Sequence, residues 1–174
     1  MSYPTARQLI DRNIIDPLAV QVFDRGDVLG RSVRANRSFK IGEKICSYGG
    51  KRIAKHVPID SAYKVELDSE TIIDGDPRHE ETRDHVGSFI NDAKGVVQFL
   101  GQRNNVVFKR SWFFDGTRRQ RIILVVASRP IRAGEELWLS YGIGYWNTYR
   151  RENKTKTVFV QQEKKIDAPR VLFK

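Results

Sequence analysis

Ile131-Arg-Ala-Gly-Glu-Glu-Leu-Trp-Leu-Ser-Tyr-Gly142 decides the reading of this chain. It reads as strand, tight turn and strand, closing on a tyrosine that precedes a glycine. Pro130 to Glu135 holds the turn residues, and Leu137 to Ser140 is the strand that follows. Just upstream, Asn105 to Phe114 and Arg121 to Ala127 are rich in β-branched and aromatic residues and predict two strong strands. Asp115-Gly116 between them is a hairpin turn pair.

The rest of the chain continues in short strands. Leu18 to Phe23, Ser32 to Ala35, Lys44 to Tyr48, Tyr63 to Leu67 and Thr71 to Asp74 have strand composition. Turns fall at Asp24-Arg-Gly-Asp27 and Ile41-Gly-Glu43. Arg78 to Val86 is polar and predicts a short helix or a loop. At the N-terminus, Leu9, Ile10 and Ile14 recur at helical spacing, with Thr5 placed as N-cap and Pro17 as terminator. Many short strands with one or two short helices predict a mainly β (α+β) fold.

Composition bounds the function. The chain has 174 residues, 40% hydrophobic and 10% aromatic, which suits a single folded domain with a core. No apolar run is long enough to span a bilayer, and Met1 to Pro17 lacks the pattern of a secretory signal. No membrane partner is expected. A single cysteine, Cys46, excludes an internal disulfide and clustered zinc thiolates, and predicts a reducing, intracellular compartment.

The net charge of +10 favours polyanionic partners. It is unevenly spread. Asn147 to Lys174 carries eight Lys/Arg against three acids, while Glu66 to Asp84 carries eight acids against Arg78 and Arg83. Basic Lys109, Arg110, Arg118, Arg119 and Arg121 flank the Asp115-Gly116 hairpin and, with the tail, are candidates for DNA phosphate contact.

Three further pieces stand upstream of Ile131 to Gly142: Leu29-Gly-Arg-Ser-Val-Arg-Ala35 before Ile41-Gly-Glu43, Cys46-Ser-Tyr-Gly-Gly50, and Ile72-Ile-Asp-Gly75 before Gly87-Ser-Phe-Ile-Asn91. In this order and at these separations the set resembles the SET-domain protein lysine methyltransferases, in style the compact viral members. The resemblance runs from Leu18 to Trp146. It implies a SET domain over 18–146; outside it lie an N-terminal helical extension over 1–17 and a basic C-terminal extension over 147–174, in which Thr157 to Val160 has strand composition and predicts partial order. The implied fold is several short twisted sheets with a pseudoknot-like C-terminal segment.

The resemblance also implies the chemistry: methyl transfer from S-adenosylmethionine to lysine side chains of a basic protein tail, a histone tail by family habit. It assigns Gly30, Arg31, Ser32, Asn91, Asp92, Tyr141 and Trp146 to the cofactor. It assigns Tyr48, Leu139 and Tyr145 to the substrate channel, with Tyr141 and Tyr48 catalytic. Ser32 stands where a second glycine is common, and Asp92 where a histidine usually follows the asparagine. Asn105 corresponds to the family's second asparagine. Leu139 stands where an aromatic residue often limits the number of methyls, so more than one methyl is expected. The acidic Glu66 to Asp84 stretch falls where the family lines its peptide groove. A chromatin or nuclear setting, nucleosome contact through the basic patches, and a homodimer through Thr157 to Val160 follow from the same likeness.

Other residues carry less. His56, His79 and His85 are scattered, and no helix places two of them on one face, so no metal is expected. Asp74-Gly-Asp76 is too short for a calcium loop. Cys46 reads as an inert buried thiol. Phe108, Trp112, Phe113 and Phe114 read as core and hairpin surface rather than a base-stacking platform. Two alternatives stay open: a SET-like module that binds without catalysis, and a basic nucleic-acid-binding domain.

Overall fold

The computed structural model describes residues 4–12, 14–26, 29–82, 84–93 and 103–152. Among these residues, eight strands build three antiparallel sheets: β1 (Val20–Asp24) with β2 (Arg31–Ala35); β3 (Lys44–Tyr48), β8 (Arg119–Ala127) and β7 (Val106–Phe114) in that order; and β4 (Lys51–Ala54), β6 (Thr71–Asp74) and β5 (Lys64–Glu66). The expected mainly β fold is what the chain adopts.

β8 is the central strand of the middle sheet, and its Ile122 to Ala127 run is buried throughout. A continuous apolar run is what a strand covered on both faces requires. Ile122, Ile123, Leu124 and Val126 pack with Tyr48, Leu67, Ile73 and Phe113 in one core cluster. Helix α1 (Ala6–Asp11) adds Leu9 to it. Thr5 is the N-cap, and its exchange of hydrogen bonds with Gln8 makes a capping box. The helix stops at Asp11, well before Pro17.

A 3₁₀ turn, Glu80–Thr82, lies in the polar Arg78 to Val86 stretch read as a short helix or loop, and a second, Val86–Phe89, begins at its last residue. Leu137 to Ser140 forms no ladder strand. Its backbone is shared instead: Leu137 N–H donates to Val33 and Leu139 N–H to Asn91, with parallel bridges Asn91↔Trp138 and Val106↔Leu139. The segment is thus tied to two separate parts of the chain, β2 on one side and the Asn91 and Val106 segments on the other.

The chain divides after Ser140. The following unit holds helix α2 (Gly142–Glu152), which the sequence reading did not place. Among the described residues no helix is long and apolar enough to cross a membrane. The expected strand and dimer contact at Thr157 to Val160 lie outside the described residues.

Candidate functional site

Gly30 opens the first cluster. Its φ of +62° is left-handed, and nothing lies within 4 Å of the place a side chain would take, so the turn presents bare backbone beside open space. Asn91 sits beside it: its Nδ2 donates to the Arg31 carbonyl at 3.1 Å. Its Oδ1 accepts from no described residue. The Arg31 guanidinium stacks over Phe89 at 4.2 Å.

The turn is closed from behind. Ser32 is fully buried, and its hydroxyl donates to Glu136 Oε1 at 2.5 Å. Arg25 donates to the other oxygen of the same carboxylate and stands over the Trp138 ring at 5.3 Å. The Arg25 N–H donates to the Gly30 carbonyl at 2.9 Å. One carboxylate therefore grips both ends of the Arg25–Ser32 turn. Ser32, expected at the cofactor, gives its side chain to this tie.

Asn105 does similar work on the other side. It is fully buried; its Nδ2 donates to the Glu136 carbonyl at 2.8 Å, and its Oδ1 accepts from Trp138 N–H at 2.7 Å. A side-chain amide thus mimics a strand partner for the irregular 136–138 segment. Burial opposes ionisation of Glu135, but Arg132 N–H, the Arg129 guanidinium and the Asn105 amide outweigh it and hold its pKa below the ordinary value.

Asp92 is 2% exposed and Leu139 is 3% exposed, so both are interior. Tyr48 is 4% exposed: its hydroxyl donates to the Tyr63 carbonyl, its ring meets Phe108 edge-on at 5.1 Å, and Gly75 lies against it. Its contacts are those of a core tyrosine at a strand end. Behind it, the buried His85 ring takes Ser47 Oγ at 2.7 Å on Nδ1 and donates to the Pro4 carbonyl. Burial pushes its pKa down to about 4.

The acidic stretch divides in two. Asp74 and Asp76 are buried: Asp74 takes Ser61 Oγ at 2.6 Å and His79 Nε2 at 3.1 Å, and Asp76 is clamped by the Arg78 guanidinium. These hydrogen bonds lower Asp76 to about 2. Glu66 and Glu70 are exposed, although Lys55 pairs with Glu66 at 2.8 Å. Cys46 is buried, and burial pushes its thiol up to about 12.

The second unit carries its own aromatic group. Tyr141, half-buried, meets Tyr145 edge-on at 4.8 Å and lies nearly parallel to Trp146 at 6.3 Å. Tyr149 stacks on Tyr145 at 6.2 Å, one helical turn along one side of α2, and Tyr141 stands just before the helix against Tyr145. The structure therefore gathers the expected residues into two groups. Gly30, Arg31, Ser32, Asn91 and Leu139 are linked through backbone and amide contacts, and Tyr141, Tyr145 and Trp146 through ring contacts. Glu136 and Arg25 were missed by sequence reasoning. The second glutamate of the Gly-Glu-Glu turn was the available signal, but its partners lie more than a hundred residues away.

A bare glycine turn with open space beside it and a side-chain amide fixed at its edge leave room for a small polar ligand. Comparison with the curated proteins finds no match. The family model described as "SET domain" matches residues 30–142, more than half of the chain, and spans Gly30, Asn91 and Tyr141. This chain belongs to the SET-domain family.

Proposed function

We propose that the chain is a protein lysine N-methyltransferase that uses S-adenosylmethionine on a basic protein tail, histone tails first. The carrying observation is the open Gly30 turn with Asn91 pinned to the Arg31 carbonyl, inside a SET domain of a family whose members are generally protein lysine methyltransferases.

S-Adenosylmethionine, when bound, supplies an electrophilic methyl on a sulfonium. The chain's residues supply the rest. The Gly30–Arg31 backbone and the Asn91 amide hold the amino-acid end, and Glu136 keeps that turn in place through Ser32 and Arg25. A lysine amine must be neutral to attack. With a free pKa near ~10.4, neutralising it at pH 7 costs about 4–5 kcal/mol. Poorly hydrated aromatic walls lower that cost by disfavouring the charged form. Tyr145 is the aromatic residue for this task, with Trp146 on the cofactor side, and its face also tolerates a methylated ammonium. The Tyr141 hydroxyl orients the amine. Leu139 brings no hydroxyl to anchor a water, which allows more than one methyl. Exposed Glu66 and Glu70 attract the basic tail, and a histone substrate would put the protein at chromatin.

A second reading, a SET module that binds without turnover, is favoured by buried Asp92 in place of the usual histidine. Titration calorimetry of S-adenosylmethionine against wild type and Asn91→Ala tests the cofactor site. Binding that Asn91→Ala abolishes supports the enzyme reading; heats absent in both proteins favour the second.

A further inference from the structure

The β7–β8 hairpin runs past the sheet that anchors it. β3 pairs with β8 only as far as Tyr48↔Ile123, whereas β7 and β8 stay paired to Phe114↔Arg119. On this projecting end, Phe113 and Gln120 point inward and are buried. The opposite face carries Trp112 across from Arg121 and Phe114 across from Arg119. Trp112 is 51% exposed and Phe114 55%. The Arg119 and Arg121 guanidiniums stand over the Trp112 ring at 5.1 and 4.9 Å.

The charge on this face is not used up internally. Arg118 is paired with Asp115, and Arg110 donates to the Glu66 and Leu67 carbonyls. Arg119 and Arg121 form no ion pair among the described residues. Asp68 feels the Arg121 charge, but its carboxylate is held by the Glu70 and Thr71 backbone N–H groups. More cations gather at the rim. The Arg12 guanidinium comes within 3.9 Å of the Gly116 side-chain position, and Arg52 donates to the Arg121 carbonyl at 2.6 Å.

We propose that this outer face of the hairpin binds single-stranded nucleic acid, with bases stacked on Trp112 and Phe114 as Arg119 and Arg121 leave the Trp112 ring to hold the phosphates. Two rings two residues apart on one strand face lie about 7 Å apart. Aromatic side chains on a sheet face are a known way to stack two or three unpaired bases. Duplex DNA gripped through its phosphates would use the arginines and leave both rings idle, and so would an acidic peptide. A flat, anionic, unpaired strand uses the rings and the cations together. From sequence this aromatic group reads as core and hairpin surface rather than a base-stacking platform; Phe113 is core and Trp112 and Phe114 are surface, and it is to these two that the proposal gives the stacking role. The inference stands apart from methyl transfer.

The test is fluorescence anisotropy of the full chain with a labelled oligothymidylate, a duplex of equal length and a polyglutamate peptide, over a salt series. Trp112→Ala is expected to weaken single-strand binding by about five- to 150-fold, with Trp112→Phe retaining most of it. Arg119→Gln with Arg121→Gln is expected to lower the log–log salt slope by about 1.4. All these side chains are exposed, so thermal melts should match wild type. Single-strand binding that is absent, or that survives Trp112→Ala and the double variant unchanged, overturns the proposal. So does tighter binding of the duplex or the peptide through the same residues.

Discussion

The Ser32 hydroxyl and the Glu136 carboxylate meet at 2.5 Å across 104 residues of sequence. Arg25 completes the contact from the far end of the same turn. The side chains of Arg25 and Glu136 are 15% and 18% exposed, so the pair is largely withdrawn from water. Removing the carboxylate takes an acceptor away from a buried hydroxyl and from a mostly buried guanidinium. Glu136→Ala is expected to destabilise by about 2–4 kcal/mol in urea unfolding, and Ser32→Ala by about 1 kcal/mol. Because the turn carries Gly30, calorimetry should also show weaker S-adenosylmethionine binding in the soluble Ser32→Ala protein.

His85 sets a pH dependence. Its folded pKa of about 4 lies below the ordinary value near 6.5, so at pH values between the two the unfolded chain binds the extra proton. Stability should be full above about pH 6.5 and fall as pH drops toward 4, by up to about 3 kcal/mol. Glu43, Asp68, Asp76 and Glu135 have lowered pKa values, so their contribution is lost as pH falls from the ordinary carboxylate range through the lowered values, below most of the His85 window. Urea midpoints measured from pH 7.5 to 4.5 check this. A His85→Gln protein should be less stable throughout, with a flatter profile in that window.

Gly50 cannot accept a side chain. Its φ of +152° lies in glycine territory, and a Cβ would stand 2.0 Å from the Asp74 carbonyl oxygen on the paired strand. Backbone cannot swing away as a side-chain tip can. Gly50→Ala is expected to cost about 3 kcal/mol or more, read as a large fall in melting temperature or loss of soluble protein.

Glu66 and Glu70 test the substrate side. Both are exposed, so screening limits each to about 0.2–1 kcal/mol toward a cationic tail. Glu66→Gln with Glu70→Gln is expected to raise KM for a basic peptide about two- to tenfold, leave kcat unchanged, and lose its effect at high salt. Unchanged KM at low salt would remove this segment from the peptide groove.

Much of this was legible because local chemistry decided it. Lys44 to Tyr48 and Thr71 to Asp74 are strands over those very residues, and Thr5 caps the first helix. The long hairpin was visible too, but its loop spans four residues rather than two. Asp115 accepts from Thr117 and Arg118 N–H and stabilises the wider turn. β4 escaped because Lys-Arg-Ile-Ala has no strand signature of its own and is held by pairing with β6. α2 escaped because its two glycines and its β-branched and aromatic residues are poor helix formers. The Tyr141, Tyr145, Tyr149 spacing was the available signal. The Gly30 turn and the Asn91 segment, now in contact through Arg31, could be read from motif. The use of Ser32 and Asn105 as ties could not, since each depends on Glu136 and Trp138 arriving from distant sequence.

Tyr141 carries the central claim, because methyl transfer needs a group that orients the amine. The most direct measurement is transfer of radiolabelled methyl from S-adenosylmethionine to core histones and nucleosomes, run with wild type and Tyr141→Phe. The proposed function predicts label on a histone band with wild type, and a loss of about a hundredfold or more in the variant at unchanged cofactor affinity. Equal labelling by the two proteins would contradict the role given to Tyr141. Tight cofactor binding without label on any basic protein tail would contradict the substrate class.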